Sequence, residues 1–204
     1  AKHFNTNHNE IQLKIDNFID ELPNALASMD HPSGDGPNSY LVSKATKTAG
    51  ITVALSGLGG DELFAGYSIF KQALDVNSKK YLNKIPSNFR KLLGQLYAQT
   101  RRGVRGEKIA EVLSLPEIST KYLYPTYRKS LLNSQVNSLA GVKSAERVNI
   151  LRQFPLQHRN ADLPILSEVS LYELSTYMQN TLLRDTDQMS MASALEVRVP
   201  FLDH

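Results

Sequence analysis

The chain has 204 residues, 41% hydrophobic and 21% charged, enough to bury one or two small cores. Lys and Arg number 23 against 20 Asp and Glu, and this excess is spread along the chain, so no nucleic-acid partner is called for. No apolar run approaches a membrane span and no signal peptide opens the chain; the absence of cysteine excludes disulfides and thiolate metal sites, which fits a cytoplasmic protein.

In chain order, residues 10–13 alternate polar and apolar and predict a short strand. Residues 14–29 predict a helix with Ile15, Phe18, Ile19 and Leu22 on one face and Pro23 breaking or restarting it. Residues 30–37 hold two prolines, two glycines and two aspartates, a loop composition. A second helix follows over 39–49, with Asn38 as its cap, Tyr40, Leu41, Val42 and Ala45 towards the core, and Gly50 as its stop.

The run Ile51-Thr52-Val53-Ala54-Leu55 is β-branched and apolar, and it ends in Ser56-Gly57-Leu58-Gly59-Gly60 before Asp61-Glu62-Leu63-Phe64 opens a helix. A strand that delivers a glycine loop to a helix N-terminus presents backbone N–H groups to an anion, so the expected ligand is a phosphate. Carboxylates beside a phosphate repel it unless a divalent cation lies between, which makes this a Mg²⁺-phosphate reading. The simpler alternative is a glycine turn in which Asp61 only caps the helix. The spacing is neither a Walker A loop nor G-x-G-x-x-G.

Beyond Phe70 the character turns helical, with helices predicted over 86–100, 107–113, 119–132 and 167–183. In the last, Ser167 is the cap and Val169, Leu171, Leu174, Met178 and Leu182 form the buried face. The basic run Arg101-Arg102-Gly103-Val104-Arg105-Gly106-Glu107-Lys108 lacks interleaved aromatics and reads as a solvated loop. A boundary near Val76 would divide an α/β portion, 1–76, from a mostly helical portion, 77–204.

Three stretches carry a resemblance. Ser56-Gly57-Leu58-Gly59-Gly60-Asp61-Glu62-Leu63-Phe64-Ala65-Gly66-Tyr67 closely resembles the second nucleotide-site motif of the glutamine-dependent asparagine synthetase family. Met29-Asp30-His31-Pro32-Ser33-Gly34-Asp35-Gly36 precedes it, and Leu183-Arg184-Asp185-Thr186-Asp187-Gln188-Met189-Ser190-Met191 runs on to Leu195-Glu196-Val197-Arg198-Val199-Pro200-Phe201-Leu202-Asp203, in the family's order.

The resemblance implies an adenine-nucleotide alpha-hydrolase-like, Rossmann-like α/β fold with a parallel sheet, here truncated and followed by the helical portion. It implies ATP and Mg²⁺ as cofactors, with Ser56, Gly57, Gly59 and Gly60 at the nucleotide, Asp61 holding the metal on pyrophosphate, and Arg184 near phosphate. Asp187 would orient a neighbouring base or arginine. The plainer alternative is that Arg184 with Asp185, and Glu196 with Arg198, are ion pairs; Glu196, Arg198 and Asp203 read as structural.

The implied chemistry joins aspartate to glutamine-derived ammonia, and the resemblance leaves room for a homodimer. The family's glutaminase half works through an N-terminal cysteine, and with no cysteine here the ammonia is expected from a domain outside this chain. The family's earlier Ser-Gly-Gly-x-Asp-Ser loop has no match and family members continue past the Pro-Phe-Leu-Asp motif, so both ends read as cut.

Leu58 departs from the family, in which an acidic residue often stands at this position, tied to formation of the acyl-adenylate. Leucine neither accepts a proton nor binds a metal. His31 likewise replaces a common acidic residue after Asp30. Three readings stay open: asparagine synthesis, amidation of another carboxylate acceptor, and a degenerate domain kept for binding or assembly.

Overall fold

The computed structural model describes residues 1–101, 103–141 and 163–203. Among the described residues the fold is mostly helical, with one small parallel sheet. Contacts divide the chain into one unit of Ala1–Gly60 with Thr176–His204 and a second of Asp61–Ser175. The division thus falls at the two edges of 61–175 and not near Val76, because the end of the chain returns to pack with its beginning.

In the first unit, α1 (Ile15–Ala27) starts where the Asn17 side chain accepts the Lys14 N–H. Pro23 lies inside α1 without breaking it. An interior proline costs about 3 kcal/mol, and here the same turn buries Ala25 against Tyr40, Leu41 and Met189. The predicted apolar face of α1 is not covered: Ile15, Phe18 and Ile19 are exposed among the described residues. The helix α2 (Gly36–Thr48) begins three residues before the expected start, with Pro37 in its first turn, so Asn38 is helical and not a cap. Tyr40 and Leu41 are buried as expected, whereas Val42 is exposed.

The strand β1 (Val53–Leu55) pairs in parallel with β2 (Glu196–Arg198), in the register Val53↔Glu196, Ala54↔Val197 and Leu55↔Arg198. The expected strand over 10–13 does not form; those residues are exposed and have no ladder partner among the described residues. An isolated extended segment leaves its backbone groups to water, so alternation alone does not make it a strand. After β2 the 3₁₀ turn Pro200–Leu202 follows.

In the second unit come α3 (Gly60–Leu63, whose first residue belongs to the other unit), α4 (Ser68–Asn77), α5 (Ser87–Thr100), α6 (Val104–Leu113), α7 (Thr120–Arg128), α8 (Asn133–Ala140) and α9 (Ile165–Glu173). One core holds Ile69, Phe70, Ala73, Tyr124, Val169 and Tyr172; another holds Val76, Leu115, Ile118 and Leu123. Gly94 lets α5 approach α6, since an added Cβ would stand 3.0 Å from Ala110 Cα. Arg90 is buried and donates to the Ile85 and Pro116 carbonyls, closing the turn after α6 onto the start of α5.

The helix expected over 86–100 is α5. Of the basic run, Arg102 lies outside the described residues, and Arg105 to Lys108 belong to α6, not to a loop. The helix expected over 119–132 ends at Arg128. The one expected over 167–183 begins at Ile165, directly after Pro164, passes into a π-wound stretch, Leu174–Leu182, and continues as α10 (Leu183–Ala192). Ser167 is therefore helical and not a cap. Among the described residues no helix is long and apolar enough to cross a membrane.

Candidate functional site

The sheet delivers the loop. Ser56 N–H donates to the Arg198 carbonyl at 2.8 Å, extending the β1–β2 pairing by one bond. Leu58 N–H then turns back to Ser56 Oγ at 3.3 Å, and Gly60 N–H closes on the Gly57 carbonyl at 3.1 Å. Gly59 sits at φ +93°, the left-handed region that favours glycine. An added Cβ there would meet Leu202 Cδ2 at 2.7 Å and Phe201 Cβ at 3.1 Å. Gly57 is the opposite case, exposed and with nothing within 4 Å of an added Cβ. Leu58 is half-buried.

The acidic pair that follows splits. Asp61 is exposed, and its carboxylate lies against Gly66, where an added Cβ would collide with Oδ1; Gly66 N–H donates to the Asp61 carbonyl at 2.8 Å. Glu62 is 1% exposed, with its carbonyl accepting the Ser170 hydroxyl at 2.7 Å. Only Asp61 is therefore offered to solvent. Among the described residues no group of three or more His, Cys, Asp or Glu gathers to hold a metal. Among the described residues the Asp61 side chain makes no hydrogen bond or ion pair, and a single carboxylate is the kind of donor that a Mg²⁺ keeping several waters and sharing its other positions with phosphates would use.

In the first unit, Asp185 points inward at 2% exposure, accepts the Ser33 hydroxyl, and faces His31 Nε2 at 3.4 Å. This corrects the expected Arg184–Asp185 pair. Arg184 is exposed and makes no ion pair among the described residues. Leu183, Arg184, Thr186 and Asp187 line a cavity of about 380 Å³ with Val197 and Val199, a lining that contains none of the Ser56–Gly60 loop. Glu196 and Arg198 do pair, at 2.8 Å on the surface. Nothing in the sequence marks Ser33 and Asp185 as partners; a serine in a Pro/Gly loop and an aspartate in a helix 152 positions later carry no signal of their meeting.

The family model for asparagine synthase matches residues 1–204. The chain belongs to the asparagine synthase family. It is 30% identical over 199 residues to "Asparagine synthetase [glutamine-hydrolyzing] 1" of Bacillus subtilis, covering 91% of this chain and 29% of that protein. It is 26% identical over 194 residues to "Putative asparagine synthetase [glutamine-hydrolyzing]" of Mycobacterium tuberculosis, covering 94% and 28%. A further relative, "Probable asparagine synthetase [glutamine-hydrolyzing]" of Dictyostelium discoideum, is 31% identical over 81 residues, 38% of this chain. The chain thus spans under a third of the length of these relatives. No solved structure matches. Within this family member, the Gly59–Leu202 contact joins two of the three stretches that carry the resemblance.

Proposed function

We propose that this chain is the synthetase portion of an ATP-dependent amide ligase that makes asparagine from aspartate and ammonia. The observation that carries the reading is the Ser56–Gly60 loop at the end of β1, with Gly59 in a glycine-specific conformation and exposed Asp61 directly after it. The names of its relatives support the amide product.

An amine does not displace oxide from a carboxylate at neutral pH, so the carboxylate is first activated. Its oxygen attacks the α-phosphorus of ATP and pyrophosphate leaves, giving an acyl-adenylate. Ammonia then attacks the acyl carbon and gives up a proton, AMP departs, and the amide remains. In this chain Ser56 and Gly57 contact the nucleotide, Gly59 and Gly60 keep the loop close to it, and Arg184 approaches phosphate. Asp61 would hold Mg²⁺, which when bound neutralises charge on the leaving pyrophosphate. The ammonia comes from a glutaminase domain beyond these residues.

Leu58 favours a second reading, amidation of a different carboxylate, because no acidic side chain stands at that position to serve the aspartate reaction. The test is pyrophosphate release by the whole gene product containing residues 1–204. Release that needs aspartate supports asparagine synthesis, release only with another carboxylate supports the second reading, and no release under any acceptor refutes both. In the active protein Asp61→Asn is expected to lower Mg-dependent release at least about tenfold, the loss of one charged ligand. An unchanged rate would leave Asp61 as a first-turn residue of α3 with no metal role.

A further inference from the structure

The Pro-Phe-Leu turn after β2 has no role in the chemistry just described, yet it touches the loop that does. Pro200 sets the first position of the turn, and Leu202 N–H closes it on the Val199 carbonyl at 3.0 Å. From that fixed base the Leu202 side chain covers Gly59 and the Phe201 ring lies 3.7 Å from where a Gly60 Cβ would be. The loop is held at two points: its start by Ser56 N–H on the Arg198 carbonyl, its apex by Leu202.

We propose that Leu202 is a positioning residue that holds the Ser56–Gly60 loop in its nucleotide-competent form and thereby sets the affinity for ATP. This rests on the proposed nucleotide role of the loop. A loop of Ser, Leu and three glycines has little intrinsic preference for one conformation. When a contact selects one in advance, ligand binding need not supply the ordering, and apparent affinity rises in proportion to the competent fraction. Leu202 acts through Gly59 and touches no reacting atom.

The experiment compares the whole gene product carrying wild type, Leu202→Ala, Leu202→Val and Leu202→Met, with KM for ATP, KM for the acceptor, kcat and Tm read on each. If truncation leaves the loop competent a tenth of the time, Leu202→Ala raises KM for ATP about tenfold, with kcat within about twofold and acceptor KM unchanged. Leu202→Val falls between, and Leu202→Met, which refills the space, returns towards wild type. Should Leu202→Ala not fold, the valine and methionine variants give the same ordering of KM. Unchanged KM for ATP in the truncated variants overturns the proposal and leaves the nucleotide reading intact. A parallel rise in both KM values with no methionine rescue also overturns it, since that is general loosening. A wild type that neither binds ATP nor releases pyrophosphate fails the nucleotide reading itself, and the proposal with it.

Discussion

Ser33 donates its hydroxyl to Asp185, a carboxylate 2% exposed, and so ties the Pro/Gly loop before α2 to helix α10. His31 closes over the same carboxylate at 3.4 Å. A buried carboxylate without partners is costly, so this loop is held by the polar group it satisfies. Asp185→Ala is expected to destabilise the fold by about 1–3 kcal/mol by leaving the part-buried Ser33 hydroxyl without its acceptor and removing the carboxylate that faces His31. Urea unfolding checks this, and Asp185→Asn, which can still accept from Ser33, loses less.

A second buried charge stands in the helical unit. Arg128 Nε donates to Glu173 Oε1 at 2.8 Å and a second guanidinium N–H reaches Oε2, while the guanidinium lies 5.0 Å over the Tyr67 ring. Glu173 is fully buried and Arg128 partly so. Removing Arg128 leaves an uncompensated buried carboxylate, at a cost of about 3–5 kcal/mol for Arg128→Ala. Lysine does not restore it, because an ammonium lacks the planar fork. A double-mutant cycle with Glu173→Gln measures the coupling.

Alkaline pH should weaken the same unit. Burial pushes the Tyr172 hydroxyl well above its ordinary 10.0, and the hydroxyl also donates to Glu168 at 2.7 Å; burial raises Tyr127 too. A phenol that holds its proton more tightly when folded stabilises the fold fully below pH 10, and that contribution is lost as pH climbs above it. Tyr172→Phe is expected to cost about 1 kcal/mol at neutral pH for the lost hydrogen bond and to flatten, but not abolish, the decline in Tm above pH 10. The pH dependence of Tm in the two proteins decides.

Two glycines of the motif should respond in opposite ways. Gly57→Ala meets open space and is expected to shift stability by less than about 0.5 kcal/mol. Gly59→Ala enters a left-handed backbone and collides with Leu202, a cost of at least about 1–2 kcal/mol. Chemical denaturation of the two variants separates them.

Gly66 bears on Asp61. An alanine there would push against the Asp61 carboxylate, so Gly66→Ala is expected to lower Mg-dependent pyrophosphate release as far as Asp61→Asn does, about tenfold. Titration of activity with magnesium checks it: a displaced carboxylate raises the magnesium requirement.

Much of the helical pattern was legible because amphipathic spacing is local. Residues 86–100 fold as α5 almost to the residue, and Val169, Met178 and Leu182 are buried as their spacing implied. Of the strands, the one read over 51–55 forms as β1 (Val53–Leu55), but its partner was not legible. Residues 10–13 alternate and stay unpaired, whereas Glu196–Arg198, with charge at both ends, pairs with β1. A three-residue strand is chosen by its neighbour's free backbone groups, which no local pattern contains.

The sequence by itself determined the loop's place after a β-branched run, its need for glycine, and the family, since motif order and residue type survive without coordinates. Tertiary structure alone decided that Glu62 is buried while Asp61 is exposed, that Asp185 takes Ser33 and not Arg184, and that Leu202 caps Gly59. Each is a meeting of residues distant in the chain or a choice between adjacent side chains. Such choices follow from which groups find buried partners, and long-range packing fixes that.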